Sequence, residues 1–305
     1  MQIYVAIADS DWYEYLAGLQ PDEANFWQPS ARTQFRALEP GEPLLFKLHS
    51  PNDFIVGGGF FSHFTILPAT FAWSAFEEKN GAANEQELRV RVEKYRRVSA
   101  MGGEDYLVGC ILLQQPFFFD RADWIPAPSW AKNIVRGKGY STDQPDGAQL
   151  WDRVQQILHA SRIQTAEPPL VEPRFGDPTT ILPRLGQGAF RVIVTDNYDR
   201  QCALTRSHVL HVLDAAHIKP YSQGGTHQPT NGILLRQDVH TLFDRGYLTV
   251  TPEYRVEISK RIKEEFDNGK EYYALHGAEV HLPVSQQLRP LREHLVWHNE
   301  HVFRP

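Results

Sequence analysis

Along the first 160 residues the apolar positions come in short runs set off by turn-forming residues. Gln2 to Ala8, Pro43 to His49, Phe54 to Phe64 and Tyr106 to Leu113 each predict a strand. The Gly57-Gly58-Gly59 run inside the third predicts a bulge or a close approach of backbones. Helical spacing interrupts these runs three times. Asp11 to Leu19 is one helix; Asn84-Glu-Gln-Glu87 opens a second, with Leu88, Val92 and Tyr95 on one face; Gln149 to Leu158 is a third, built around Leu150, Trp151, Val154 and Leu158. Glu167-Pro-Pro, Glu172-Pro, Asp177-Pro and Leu182-Pro then break any helix, so residues 161–187 predict a semi-extended connector between a first domain, 1–160, and a second, 188–305.

The second domain changes pattern. Gly188 to Tyr198 predicts a helix, and His208 to Ile218, rich in Val, Leu and Ala, a strand ending at Pro220. Pro220 to Asn231, with Gly224-Gly225 and Pro229, is a loop; Gly232 to Arg236 returns as a second strand. Asp238 stands where an N-cap belongs, opening a helix through Asp244 that stops at Gly246. Phe243, Tyr247 and Leu248-Thr-Val250 are expected to pack this strand-strand-helix unit. Arg255 to Glu271 reads as strand then helix, and Leu291 to Phe303, with Trp297, as a closing segment.

Polar residues fall on that frame at telling intervals. His217 ends the first strand, Asn231 follows fourteen residues on, and His240 nine beyond that. His217-Ile-Lys-Pro, Asn231-Gly232-Ile-Leu-Leu and His240-Thr-Leu-Phe-Asp244 together resemble the HNH, or ββα-metal, nucleases. That resemblance implies phosphodiester hydrolysis, which needs a base to deprotonate water and a cation to neutralise the phosphate and the leaving oxygen. His217, a histidine beside a loop with an intrinsic pKa near neutral, is the candidate base. Asn231 is expected to bond loop backbone and so fix the angle of His217. His240 and Asp244, four apart on a helix, share a face and are candidate ligands for one cation, Mg²⁺ with Mn²⁺ as a substitute.

One position departs from the family. Many of its members carry Asp or His immediately before the catalytic histidine, and here Ala216 stands there. Asp214 is a third candidate ligand, although two strand residues are roughly 6.6 Å apart. Either the strand bulges, or Asp214 acts through water, or His240 and Asp244 hold the cation with solvent. Ten of the thirteen histidines lie in this half. His208, His211, His227, His276, His281, His294, His298 and His301 read as surface or core residues.

The first domain is similar, in the order of its elements, to the PUA superfamily and its EVE-like readers of modified bases. Phe26-Trp27, then Phe35-Arg36 through Gly41 to Phe46-Lys47, then Ile55-Val-Gly57-Gly-Gly59-Phe-Phe, then Trp73 to Gly81 carry the likeness. It implies an α+β chain with an N-terminal β-barrel and helices. It also implies that a flipped nucleotide is held between aromatic walls and read at its edge. Trp12, Trp27, Trp73 and Phe76 are candidate walls, and Asp11 and Asn80 candidate edge readers. Lys219, Arg236, Arg136 and Lys138 are candidate phosphate contacts, with Lys132 and the Arg89, Arg91, Lys94, Arg96 and Arg97 group beside them.

Composition narrows the partners. With 31 basic and 37 acidic residues the net charge is −6, so non-specific DNA affinity is expected to be weak and target choice to come from the base itself. Only two cysteines, Cys110 and Cys202, are present, too few for a four-thiolate zinc knuckle or a disulfide framework. No apolar run reaches membrane-spanning length, and Met1-Gln-Ile-Tyr-Val lacks the basic flank of a leader, so a cytoplasmic protein is expected. Together these features predict a modification-dependent restriction endonuclease acting on double-stranded DNA, with modified cytosine the expected target. One HNH site per chain favours a dimer, formed in solution or on DNA. The alternatives are an HNH nicking enzyme reading unmodified nucleic acid, and a binding protein inactivated through Ala216.

Overall fold

A computed structural model describes residues 1–96, 105–131, 133–165 and 186–305. The chain divides into two compact units, Met1–Pro183 and Arg184–Pro305. The expected connector, 161–187, lies for the most part outside the described residues, as do Arg97 and Lys132.

The first unit is a mixed sheet edged by helices. In chain order it runs β1 (Gln2–Ala8), α1 (Ser10–Leu19), β2 (Glu23–Gln28), β3 (Pro43–Leu48), β4 (Phe54–Pro68), α2 (Ala69–Phe76), α3 (Glu85–Tyr95), β5 (Leu107–Phe118), β6 (Ile125–Pro126), β7 (Gly137–Ser141) and α4 (Pro145–Thr165). The strand order is β2-β5-β4-β3-β1-β7, with β6 added to β4. β1 and β3 are parallel, Tyr4 facing Leu44; the other pairings are antiparallel. Among the described residues β2 and β7 do not pair, so the ladder is an open path and not the closed barrel that the sequence predicts. β4 is the hub because it is 15 residues long, enough to serve β3, β5 and β6.

The glycine run in β4 sits where backbones come together. A Cβ on Gly57 would lie 2.2 Å from the Phe117 carbonyl oxygen, and one on Gly58 2.7 Å from the Leu45 side chain. Register shifts at Gly58/Phe60 and Phe61/His63 bend the strand there. Helix starts follow their caps: the Asp9 carboxylate accepts from the amides of Asp11 and Trp12, and Asn84 accepts from the Glu87 amide. Ile3, Val5, Leu45, Ile55, Leu150 and Val154 form one core cluster, so α4 buries the face that its sequence predicts.

In the second unit α5 (Gln187–Asn197) precedes β8 (Leu213–His217), β9 (Gly232–Arg236) and α6 (Gln237–Asp244). Then come β10 (Leu248–Val250), β11 (Val256–Ile258), α7 (Arg261–Phe266), α8 (Lys270–Tyr273) and α9 (Arg292–His301). β8 and β9 pair antiparallel with His217 opposite Gly232. The first strand is shorter than expected because β9 offers only five partners; residues Leu210–Val212 form a 3₁₀ turn instead. Asp238 is not the N-cap. That place falls to Arg236, and the Asp238 carboxylate holds the Arg236 guanidinium at 2.6 and 2.7 Å.

Packing explains Gly232. A Cβ there would meet Val194 at 2.5 Å and Phe190 at 3.0 Å, so only glycine lets α5 lie against the hairpin. Beneath α6, Phe243 stacks on His298 of α9, centroids 3.7 Å apart. His298 is buried; its Nδ1 bonds Thr249 Oγ1 at 2.8 Å, and its Nε2 bonds the Phe243 carbonyl at 3.1 Å.

Burial pushes His298 down to about 4, so the folded unit holds it neutral while the unfolded chain titrates near its ordinary value of 6.5. Protons therefore favour unfolding between those two values. The full contribution is present above pH 6.5 and is lost as pH falls toward 4, in all about 3 kcal/mol. Hydrogen exchange of the α9 and β10 amides should report an opening free energy that falls through this window, with a shallower slope in His298→Gln. A flat profile in the unchanged protein would remove His298 as the cause.

Candidate functional site

A cleft of about 480 Å³ opens in the second unit against β8, α5, α6 and α9. Asp214, His217, His240 and Asp244 line it together with Phe190, Arg191 and Tyr221. Strand alternation alone would put Asp214 on the face of Ala216. Instead Ala216 is fully buried in the core, while Asp214 and His217, three apart, both border the cleft. Position 216 is thus a core residue here, and the carboxylate of this strand that borders the cleft is Asp214.

His217 is held on several sides. Its ring stacks on Phe190, centroids 4.0 Å apart and 13° from parallel, and its Nε2 lies 2.9 Å from Nδ1 of His227. Burial pushes His217 down to about 4, helped by the neighbouring His227 and His240. It is therefore a neutral imidazole across the physiological range.

Asn231, fully buried, ties the loop between the strands. Its Oδ1 accepts from the Lys219 amide, and its Nδ2 donates to the Lys219 and Thr226 carbonyls, each at 2.9 Å. The side chain thus closes the loop just beyond His217.

His240 stands between two carboxylates. Its Nδ1 is 3.6 Å from Asp214 Oδ2, and its Nε2 3.3 Å from Asp244 Oδ2. Burial would lower His240, but the contact of its Nδ1–H with the accepting Asp214 carboxylate and the charges of both acids outweigh it and raise it. The same contact with His240 holds Asp214 below the usual carboxylate range, with Arg191, 3.9 Å away, adding to the effect. Asp244 moves up, through burial and through repulsion from Asp214 that its attraction to His240 does not offset.

Among the described residues no group of three or more His, Cys, Asp or Glu side chains is already arranged as a metal shell. The donors nonetheless suit a divalent cation in kind: two carboxylates, one of them raised by the other's charge, flank one imidazole. Oxygen-rich sets of this type take Mg²⁺ or Mn²⁺, completed by solvent or substrate oxygens. The two acids carry a repulsion that such a cation would relieve.

Other candidates stand apart from this cleft. Lys219 Nζ lies 5.6 Å over the Trp297 ring. Arg236, partly exposed, is paired with Asp238. In the first unit, Lys138 bonds the Ser129 carbonyl at 2.8 Å and lies over Tyr140, while Arg136 is exposed. Arg91 and Lys94 pair with Glu87 and Asp9, Arg89 with Glu85, and Arg96 binds the Pro29 and Leu107 carbonyls. Cys202, buried, accepts from the amides of Thr205 and Arg236.

Three of the expected base-pocket residues are core. Trp12 and Phe76 are fully buried, Trp12 edge-on to Phe26 and Phe46 with its Nε1 on the Asn25 carbonyl. Asn80 is fully buried too. Its Nδ2 donates to the Ala72 and Glu77 carbonyls and its Oδ1 accepts from Asn25, leaving no free edge for a base. Trp27 is nearly buried, with its Nε1 on the Asn80 carbonyl; Trp73 is half-buried on α2 and Asp11 exposed on α1. A shallow cleft of this unit is lined instead by Gln34, Phe35, Arg36, Phe61 and Phe64, within and beside the segments that carry the PUA likeness.

The motif spacing singles out none of Phe190, Arg191, Tyr221 or His227, all of which border or support this cleft. His227 was obscured by the density of histidines around it. Phe190 and Arg191 lie on a helix upstream of the motif, and no spacing within the motif points to them.

Comparison with known proteins agrees on the second unit. Residues 202–251 match the HNH endonuclease family, and this part of the chain is an HNH endonuclease domain. Among solved structures, the chain is similar to the crystal structure of ASCH from Zymomonas mobilis. The identity is 10% over 49% of this chain and 94% of that one, with a TM-score of 0.34. It is also similar to a modification-dependent restriction endonuclease, TagI, at 13% identity over 92% of this chain and 75% of that one, TM-score 0.27. Both are distant likenesses. No curated protein matches the chain. No helix among the described residues is long and apolar enough to cross a membrane.

Asn231→Ala leaves an amide and two carbonyls of the loop without partners and should cost about 1–3 kcal/mol. Asn231→Asp keeps the acceptor but sets a carboxylate oxygen against two carbonyls, and should cost at least as much. Thermal unfolding measures both. An aspartate variant as stable as the native chain would show that the donor side of Asn231 does not hold the loop.

Proposed function

We propose that the chain is a metal-dependent HNH endonuclease that hydrolyses DNA phosphodiesters, directed by its first unit to modified bases. One observation carries the nuclease reading. Two histidines, His217 and His240, border a single cleft with Asp214 and Asp244, and all four lie within the span that matches the HNH family.

Asp214, His240 and Asp244 would hold the cation, and a bound Mg²⁺ or Mn²⁺ supplies charge neutralisation at the phosphate and the leaving 3′-oxygen. His217 does the proton work. Its free nitrogen takes a proton from water as the water oxygen bonds to phosphorus and the bond from phosphorus to O3′ breaks. The leaving oxygen is protonated by solvent, and the imidazolium returns its proton to solvent. A histidine held this low is a weak base; the anionic phosphodiester raises its proton affinity when substrate lies beside it. Phe190 keeps the ring from turning, and Asn231 keeps the strand end in place.

The reader role of the first unit is supported by the order of its elements and by the low basic charge of the chain, which leaves target choice to a captured base. With Trp12 and Phe76 in the core and Phe61 and Trp27 largely buried, the partly exposed Phe35, Phe64 and Trp73 are aromatic groups available for stacking. Cleavage of both strands by one site per chain favours a dimer, or two chains meeting on DNA.

Plasmids carrying no modification, 5-methylcytosine, 5-hydroxymethylcytosine or N6-methyladenine, incubated with the full chain and Mg²⁺, test the reading. Cleavage of a modified plasmid alone is expected; equal cleavage of all four would leave a nuclease without a modified-base reader, and no cleavage with either metal a binding protein. His217→Ala should lower the rate by about 10²–10⁴-fold with DNA binding within a few-fold. His240→Ala should shift the Mg²⁺ titration to higher concentration, and an unchanged titration would remove it as a ligand.

A further inference from the structure

The geometry points to His227 as a positioning residue for His217: its Nδ1 accepts the proton of His217 Nε2 and thereby fixes which nitrogen of His217 faces the water. This rests on the reading of His217 as the base. A neutral imidazole has one donor nitrogen and one acceptor, and the hydrogen bond made by one nitrogen selects the role of the other. Among the described residues, the ring nitrogens of His217 make a single hydrogen bond, between Nε2 and His227 Nδ1 at 2.9 Å. If His227 were the donor, His217 would carry its proton on Nδ1, with no lone pair for water and no partner for that N–H. With His227 accepting, His217 is protonated on Nε2, and the Nδ1 lone pair is free for the cleft that the ring borders.

His227 is built to hold that position. Its ring stacks on Tyr221, centroids 5.0 Å apart and 10° from parallel, and lies 5.9 Å from Phe190, tilted. The backbone just before it is tied down: the Thr226 carbonyl accepts from Asn231 Nδ2 at 2.9 Å. Phe190 thus sets the plane of the His217 ring, and His227 sets its tautomer. When water gives its proton to Nδ1, the Nε2–H bond to His227 becomes charge-assisted and stronger, so it favours the protonated form only as that form appears.

The test compares three substitutions in the full chain. Asparagine places its side-chain oxygen where His227 holds Nδ1; glutamine carries its amide one atom further out, and alanine has none. Long-range proton–nitrogen NMR of ¹⁵N-histidine-labelled protein without metal, with His217 assigned by its loss in His217→Ala, reads the tautomer directly. The unchanged protein and His227→Asn should show His217 protonated on Nε2, whereas His227→Ala and His227→Gln should show exchange between tautomers.

On a 5-methylcytosine plasmid with Mg²⁺, His227→Ala should lower kcat about 10–100-fold, as removal of a partner that orients a functional histidine does. KM and the metal titration should stay unchanged, and His227→Asn should restore kcat to within a few-fold of the unchanged protein. The same tautomer in all four proteins, or an asparagine variant as slow as alanine, would overturn the inference. Should His227→Ala fail to fold, the contrast between asparagine and glutamine decides alone. Full cleavage by His217→Ala would instead overturn the reading of His217 as the base, a separate outcome.

Discussion

One buried amide organises the nuclease unit. Asn231 bonds both backbone groups of Lys219 and the carbonyl of Thr226, so one side chain joins the end of β8 to the start of β9 and pins the loop between them. Water cannot replace these bonds, because the side chain is fully buried, and each unmade bond would leave a polar group stranded. The direction of His217, the position of His227 and the approach of α5 to Gly232 all rest on the loop being closed in this way.

The cleft then separates two histidines by surroundings rather than by type. His217 lies against Phe190 and another histidine and is pushed down; His240 lies between Asp214 and Asp244 and is pushed up. Burial acts in the same direction on both. What differs is whether carboxylates are near enough to outweigh it. The first unit follows a related logic at its surface, where Arg89, Arg91 and Lys94 face acids of their own unit and so present less positive charge than their number implies.

Much of this was legible in the chain. Gly57 to Gly59, the Asn84 cap, the hairpin from Leu213 to Arg236 and the trio His217, Asn231 and His240 follow from local chemistry, and each lies where that chemistry predicts. The misreadings have one root, since long-range packing is not written in local pattern. Strand alternation predicts that Asp214 and Ala216 share a face, but the core claimed Ala216 and left Asp214 at the cleft. Asp238 reads as a cap until Arg236 takes it as a partner. Trp12 and Asn80 read as candidate pocket residues, and their partners, Asn25, Phe26 and Phe46, place them in the core. The open ladder of the first unit depends on whether β2 and β7 pair, which neither strand encodes alone.

Residues 202–251 carry the motif, yet they do not carry the whole working part. Phe190, which supports the His217 ring, lies on α5 before that span, and His298, which underlies α6, lies on α9 well beyond it. A fragment cut at the limits of the motif would lose the platform under one histidine and the floor under the helix that bears the other. Transplanting this chemistry into another scaffold therefore means moving α5 and α9 with it: the smallest portable piece is more than twice as long as the signature by which it is recognised.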